Sequence, residues 1–186
     1  MFEFRGDAIL LYDYAKSSRL RDSLYEYLEA ARLVRMNHDM KILDIGCGLH
    51  PLKHVYPDVM GIDLARNSHA DVLADALHLP FRDNYFDAVI SVELLEHLSN
   101  GIALMKEMKR VSKRYVLIST ANKFTGRHDH RHIHEYSLFE LKKLFKKVGL
   151  KILDFGFGGL KRFPRFVQYL LPFWLWSEWI MVLGEK

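Results

Sequence analysis

Apolar residues recur along this chain in two rhythms. From Tyr12 to Val34, in "YDYAKSSRLRDSLYEYLEAARLV", they fall at helical spacing and include Leu20, Leu24, Tyr27, Leu28 and Ala31. That spacing predicts a long amphipathic N-terminal helix. Seven short, mostly apolar runs predict strands: "KILDIG" (Lys41 to Gly46), "VMGIDL" (Val59 to Leu64), "DVLADA" (Asp71 to Ala76), "YFDAVISV" (Tyr85 to Val92), "RYVLIST" (Arg114 to Thr120), "LKILDFGF" (Leu150 to Phe157) and "WIMVLGEK" (Trp179 to Lys186). Two helical segments lie among them. "SNGIALMKEMKRVS" places Ile102, Met105 and Met108 on one face, and "SLFELKKLFKKVG" sets Ser137 and Glu140 in capping-box spacing with Gly149 as a stop.

Strands alternating with helices imply an α/β fold with a parallel sheet between helical layers. Right-handed crossovers then carry a ligand site to the carboxyl ends of the strands. One crossover does not fit the pattern. Only "ARNSHA" separates Leu64 from Asp71, where a parallel connection normally takes about a dozen residues. Either a tight loop replaces a helix there, or one of the two strands is misplaced.

Composition narrows the class. With 186 residues the chain is long enough for one sizeable core. Cys47 is the sole cysteine, so an internal disulfide is excluded. The N-terminus lacks the basic and apolar pattern of a signal peptide, and a reducing cytoplasmic setting is the expectation. A net charge of +4 is modest, and its basic clusters read as solvated helix faces and ends. No stacked-aromatic motif or zinc-finger spacing accompanies them, which argues against a nucleic-acid partner.

The first chemistry lies in "LDIGCGLHP". Gly46 and Gly48 let the backbone approach a ligand at the end of a strand. A dinucleotide site would need a third glycine where Pro51 stands, and Asp44 would sit badly beside a pyrophosphate. The acidic residue suits a cationic ligand.

"ILDIGCG", "GIDLA", "ADALHLPF" and "FDAVISVELLEHL", in that order, resemble the successive motifs of the class I S-adenosylmethionine-dependent methyltransferases. The resemblance is firm from Lys41 to Leu98 and looser through "HEYSLFELKKLFKKVGLKI". It implies a Rossmann-like, doubly wound, mostly parallel seven-stranded sheet with helices on both faces and the last strand antiparallel. Together with the patterns at either end, the chain reads as one methyltransferase domain over 1–186: a helical extension (1–40), a cofactor-binding core (41–160), an aromatic amphipathic cover (161–176) and a final strand (177–186).

The cofactor implied is S-adenosylmethionine. Gly46, Cys47 and Gly48 would form the turn under its amino-acid part, with Asp44 toward the ammonium. Asp63, followed by Leu64, would take the ribose hydroxyls; Asp75, Ala76 and Leu77 the adenine edge; and Ser91 and Val92 the region of the sulfonium. His50 and Pro51 depart from the family, which usually has another glycine at the first of them. The short span from Asp44 to Asp63 leaves little room for the first crossover helix.

In-line methyl transfer needs positioning and, for some acceptors, removal of a proton. His97 in "SVELLEHL" is a candidate base, or a helix-start residue packed on the sheet. "RHDHRHIHEYS" puts a histidine on every second residue from His128 to His134, above the carboxyl edge of the sheet. His130 and His134 are its candidate catalytic residues, beside Tyr136. No residue is assigned as a metal ligand, because four side chains in a flat row rarely converge on an ion.

The aromatic segment 163–176 is interrupted by Gln168 and Pro172, so it does not read as a spanning helix. It suits a buried core, a cover over the substrate pocket, a homodimer surface or a peripheral membrane contact. A small-molecule or lipid-like methyl acceptor is the leading expectation. A non-catalytic Rossmann-like binding module and a metal-binding regulator built on the His128 to His134 loop are the alternatives.

Overall fold

The computed structural model describes residues 18–124, 129–158 and 177–186. The chain runs α1 (Ser18–Val34), β1 (Ile42–Ile45), a 3-10 turn (Pro51–His54), β2 (Met60–Asp63), β3 (Val72–Leu73), β4 (Phe86–Val92), a second 3-10 turn (Leu95–His97), α2 (Gly101–Val111), β5 (Ser112–Ala121), α3 (Leu138–Lys147), β6 (Lys151–Gly158) and β7 (Trp179–Glu185). The seven strands form one sheet in the order β3-β2-β1-β4-β5-β7-β6. Neighbours from β3 to β5 are parallel, and β7 is antiparallel to both β5 and β6. The expected doubly wound sheet is therefore present. The start of the predicted helix, residues 12–17, and the segment 161–176 lie outside the described residues.

Alternation along the strands divides the core in two. Leu43, Ile45, Val89, Val116, Ile118 and Val182 face Leu104, Met105 and Met108 of α2 and Leu141 and Phe145 of α3. Ile42, Ala88, Ile90, Leu117, Met181 and Leu183 face Tyr27, Ala30, Ala31 and Val34 of α1, with Leu52 of the first 3-10 turn beside them.

The anomalous crossover is a tight loop. β2 and β3 are parallel across Ile62–Val72 and Asp63–Leu73, yet no helix joins them. Asp71 substitutes for it: its backbone N–H donates to the Gly61 carbonyl, and its carboxylate accepts the Gly61 N–H at 2.8 Å. β3 is shorter than "DVLADA" predicts, because Asp75 turns the chain by accepting the Leu77 N–H. The first crossover is trimmed likewise to a 3-10 turn, with Pro51 in its opening positions.

Both later helices are capped as their sequences suggest. Asn100 accepts the Ala103 N–H at 3.0 Å, and Ser137 and Glu140 form a reciprocal capping box before Gly149 (φ 71°) ends α3. Ser137→Ala is expected to lower unfolding free energy by about 1 kcal/mol, read as a shifted urea midpoint with unchanged slope. An unshifted midpoint would mean that the cap contributes nothing to stability.

Candidate active site

Between β1 and β4 the strand order reverses, which opens a crevice at the carboxyl edge. β1 leaves the sheet there through Gly46 (φ 73°) and Gly48 (φ 53°). The N–H groups of Gly46 and Cys47 both donate to the Ile62 carbonyl, at 2.9 and 3.0 Å, which straps the turn to β2. Asp63 completes the strap: one carboxylate oxygen accepts the Gly48 N–H at 2.9 Å and the other the Ala65 N–H at 2.8 Å. Each oxygen keeps acceptor capacity. A side chain at Gly48 would meet nothing within 4 Å, so space for a ligand lies beside the turn.

Beneath the turn, Asp44 is completely buried. Tyr27 of α1 donates to its Oδ1 at 3.3 Å, and its Oδ2 has no partner. Burial raises the Asp44 carboxyl well above its usual range, the Tyr27 hydrogen bond opposes this, and Asp63 adds to it. His50 lies opposite, its Nε2 3.8 Å from Asp44 Oδ2, in a left-handed conformation (φ 53°, ψ 54°). Neither of its ring nitrogens has a hydrogen-bond partner, and burial pushes it down to about 4, so it is neutral at pH 7. Its ring occupies the space above Gly61, where a Cβ would stand 2.5 Å from Cε1. Thus the residue in place of the family's glycine turns inward and demands a glycine on β2. Cys47 shares that pocket, and burial pushes its thiol up to about 12, which makes it inert packing rather than a nucleophile.

Leu64 lies exposed next to Asp63 and offers an apolar shelf. Asp75 Oδ2 pairs with His78 Nδ1 at 2.9 Å while its Oδ1 holds the Leu77 N–H, and these contacts lower its carboxyl in that order. Ala76 and Leu77 pack partly against the core. Arg110 of α2 anchors the chain that follows, donating to the carbonyls of Leu79 and Phe81. Ser91 and Val92 close β4; Ser91 is buried and its Oγ has no partner.

Beyond β4, Glu93 is exposed and left-handed (φ 51°). Glu96 is buried, its carboxylate accepting the Thr120 hydroxyl at 2.8 Å and the Ala121 N–H at 3.0 Å. Its carbonyl accepts the N–H groups of Ile133 and His134, so one residue ties the exit of β4 to the histidine loop. His97 Nδ1 lies 3.2 Å from the Arg131 carbonyl, and its ring meets His132 edge-on at 4.9 Å. On the other face of the sheet Glu26 of α1 bonds the Ser119 hydroxyl; burial, then the nearby Glu93, raises its carboxyl well above the usual range.

An extended loop would have put its histidines on one side, but a turn intervenes. His132 N–H donates to the Asp129 carbonyl at 2.9 Å, and the Asp129 carboxylate caps the Arg131 N–H. His130 consequently points to solvent with 93% of its side chain exposed. His134 packs edge-on to Tyr136, its Nε2 3.8 Å from Glu140. His132 turns in toward His97, with Nδ1 3.2 Å from Glu135. His128 lies outside the described residues. Of the three sequence candidates for catalysis, only His97 meets another histidine ring among the described contacts. The sequence reading passed over Glu96 and His132, and over Glu26 and Tyr27 of α1; the acid next to His97 in "LLEHL" was the available hint.

Strand order, glycine turn and strand-end carboxylates define a doubly wound α/β protein whose ligand crevice lies at the sheet reversal. The chain belongs to the methyltransferase-domain family, whose sequence pattern matches residues 15–154. An uncharacterized protein of Methanocaldococcus jannaschii is 29% identical over 145 residues, covering 72% of this chain and 60% of that one. Cycloartenol-C-24-methyltransferase 1 of Oryza sativa is 32% identical over 117 residues, covering 50% of this chain and 34% of that one. The chain thus spans less than two thirds of the length of either relative. Among solved structures, a SAM-dependent methyltransferase from Archaeoglobus fulgidus superposes with a TM-score of 0.71 at 17% identity, covering 96% of this chain and 99% of that one.

Proposed function

We propose that the protein transfers the methyl group of S-adenosylmethionine to a small-molecule or lipid-like acceptor by in-line displacement. The observation that carries this reading is a group of buried, unpartnered polar atoms at the sheet reversal: Asp44 Oδ2 and Ser91 Oγ, with the two ring nitrogens of His50 beside the former. Buried polar atoms ordinarily have partners, and an orphaned carboxylate oxygen behind a glycine turn fits a cationic amino group. When bound, the cofactor supplies a methyl carbon already activated by its sulfonium.

The chain's residues then position and shield. Gly46, Cys47 and Gly48 bring backbone up to the amino-acid part, and Asp63 offers its remaining lone pairs to the ribose hydroxyls. Leu64 gives the base an apolar shelf, with Asp75, Ala76 and Leu77 along its edge. Ser91 and Val92 border the reacting end. His97 stands where it can accept an acceptor's proton, since a Nδ1–H bonded to the Arg131 carbonyl leaves Nε2 with its lone pair. His130 and His134 belong to the rim over which the acceptor enters. Exposed Phe124, Ile133 and Phe139 on the segments following β5 favour an apolar acceptor, as does the relative named for cycloartenol.

Calorimetric titration with S-adenosylhomocysteine tests the reading. Saturable one-to-one binding is expected. A folded sample that binds none would overturn methyl transfer and leave a non-catalytic module.

A further inference from the structure

We propose that Glu96, His97 and His132 form a site for one divalent transition-metal ion, with an open coordination position at the carboxyl edge. One ligand atom from each residue lies within 4.8 Å of the other two. Around an ion with ligands at about 2.1 Å, tetrahedral neighbours stand roughly 3.4 Å apart, a spacing that lies inside that limit. The three residues come from two segments far apart in sequence, yet the Glu96 carbonyl clamps the two together through Ile133 N–H and His134 N–H.

What makes the group a site rather than a crowd is its surroundings. Histidines that bind metals usually donate their second ring nitrogen to a carboxylate or a backbone carbonyl, and metal-bound carboxylates are themselves hydrogen-bonded. Each of the three residues has such a partner. His97 Nδ1 faces the Arg131 carbonyl and His132 Nδ1 faces Glu135, each at 3.2 Å. This leaves both Nε2 atoms to carry lone pairs to an ion; with the ion bound, His97 is a ligand and the role of base passes from its Nε2 to a hydroxide held by the ion. Glu96 is fixed in orientation by the Thr120 hydroxyl and the Ala121 N–H, both of which its carboxylate accepts.

The donor set selects the ion. Two imidazoles and one carboxylate suit Zn²⁺, Fe²⁺, Co²⁺ or Mn²⁺ and are a poor match for Ca²⁺ or Mg²⁺, which prefer oxygen. Three protein ligands leave a further position for water or an acceptor hydroxyl, whose proton the ion would make more acidic. A row of histidines does not converge on an ion, as the loop shows at His130 and His134. One member of the row converges with a Glu-His pair from another element. The catalytic use of the ion rests on the methyl-transfer reading; its binding does not.

The test is titration of the untagged, chelator-treated full chain with Zn²⁺ by calorimetry and with Co²⁺ by visible absorption. One equivalent of each metal is expected, with Co²⁺ giving the bands of a low-coordinate site. His132→Ala is expected to weaken Zn²⁺ binding by about 100-fold or more, and Glu135→Gln by roughly 10-fold through lost orientation. His130→Ala should leave it unchanged. A folded wild-type chain that takes up no zinc would overturn the site, as would equal weakening by His130→Ala and His132→Ala. S-adenosylhomocysteine binding measured on the same samples separates the two proposals. Zinc uptake without it upholds the metal site and overturns methyl transfer; the reverse pattern overturns the metal site alone.

Discussion

Replacing Asp63 with alanine is expected to weaken S-adenosylhomocysteine binding by about 2–3 kcal/mol, roughly 30- to 150-fold. The carboxylate has two tasks. In the proposed reaction it would offer lone pairs to the two ribose hydroxyls, and within the protein it holds the N–H groups of Gly48 and Ala65. Alanine removes the ligand contacts and also releases the strap that shapes the glycine turn. Asp63→Asn retains one acceptor oxygen and should lose less. Calorimetry gives the affinity, and a urea melt of each variant separates loss of binding from loss of fold. Unaltered affinity in a folded Asp63→Ala protein would remove the ribose from this strand end.

The second large effect concerns His50 and pH. Folded His50 titrates at about 4, against about 6.5 for an exposed histidine. Between those values the unfolded chain carries a proton that the folded chain refuses. Stability from this group is therefore full above the unfolded value and is lost as pH falls through the window. At full weight the shift corresponds to about 3 kcal/mol, of which about 2 kcal/mol falls between about pH 7 and about pH 4.5.

Asp44 and Glu26 act in the opposite direction. Their raised values make the folded chain hold protons that the unfolded chain has released, so their contribution to stability falls as pH rises. Comparison with His50→Asn isolates the histidine, because both carboxyls remain and asparagine tolerates the left-handed backbone. The variant should be less stable at about pH 7, where the packing of the ring is lost, yet lose about 2 kcal/mol less than the wild type on going to about pH 4.5. Parallel pH profiles in urea denaturation would show that His50 is not held neutral by the fold.

These two residues mark where the sequence was legible and where it was not. Asp63 ends a short apolar run and precedes a loop, so its place at a strand terminus followed from local pattern. The glycine turn, the capping box at Ser137 and the two trimmed crossovers were readable for the same reason: each depends on a few consecutive residues. His50 could be recognised as a departure, but its inward turn depends on space above Gly61, on a different strand. Glu96 and His132 meet only because a turn at Asp129 breaks the alternation of the loop, and no spacing rule relates residues on two separate elements. Tyr27 likewise read only as part of the apolar face of a helix, and nothing in the local pattern singled out Glu26 beside it. Their arrival beneath the carboxyl edge is set by how α1 lies across the sheet.

That lie of α1 has a consequence for how the chain is made. The helix leaves the ribosome before the seven strands of the sheet do, yet its buried face packs against Trp179, Met181 and Leu183 of the last strand as well as against β1 and β4. During synthesis the opposite layer, with α2 and α3, has most of its partners before β7 appears, whereas the α1 layer does not. Domains fold as their contacts become available, and contacts distant in sequence close late. The layer that carries Tyr27 to Asp44 and Glu26 to Ser119 therefore closes only after β7 has emerged. A nascent chain arrested before Trp179 would expose an apolar helix face, a natural substrate for a chaperone, while its glycine turn was already formed.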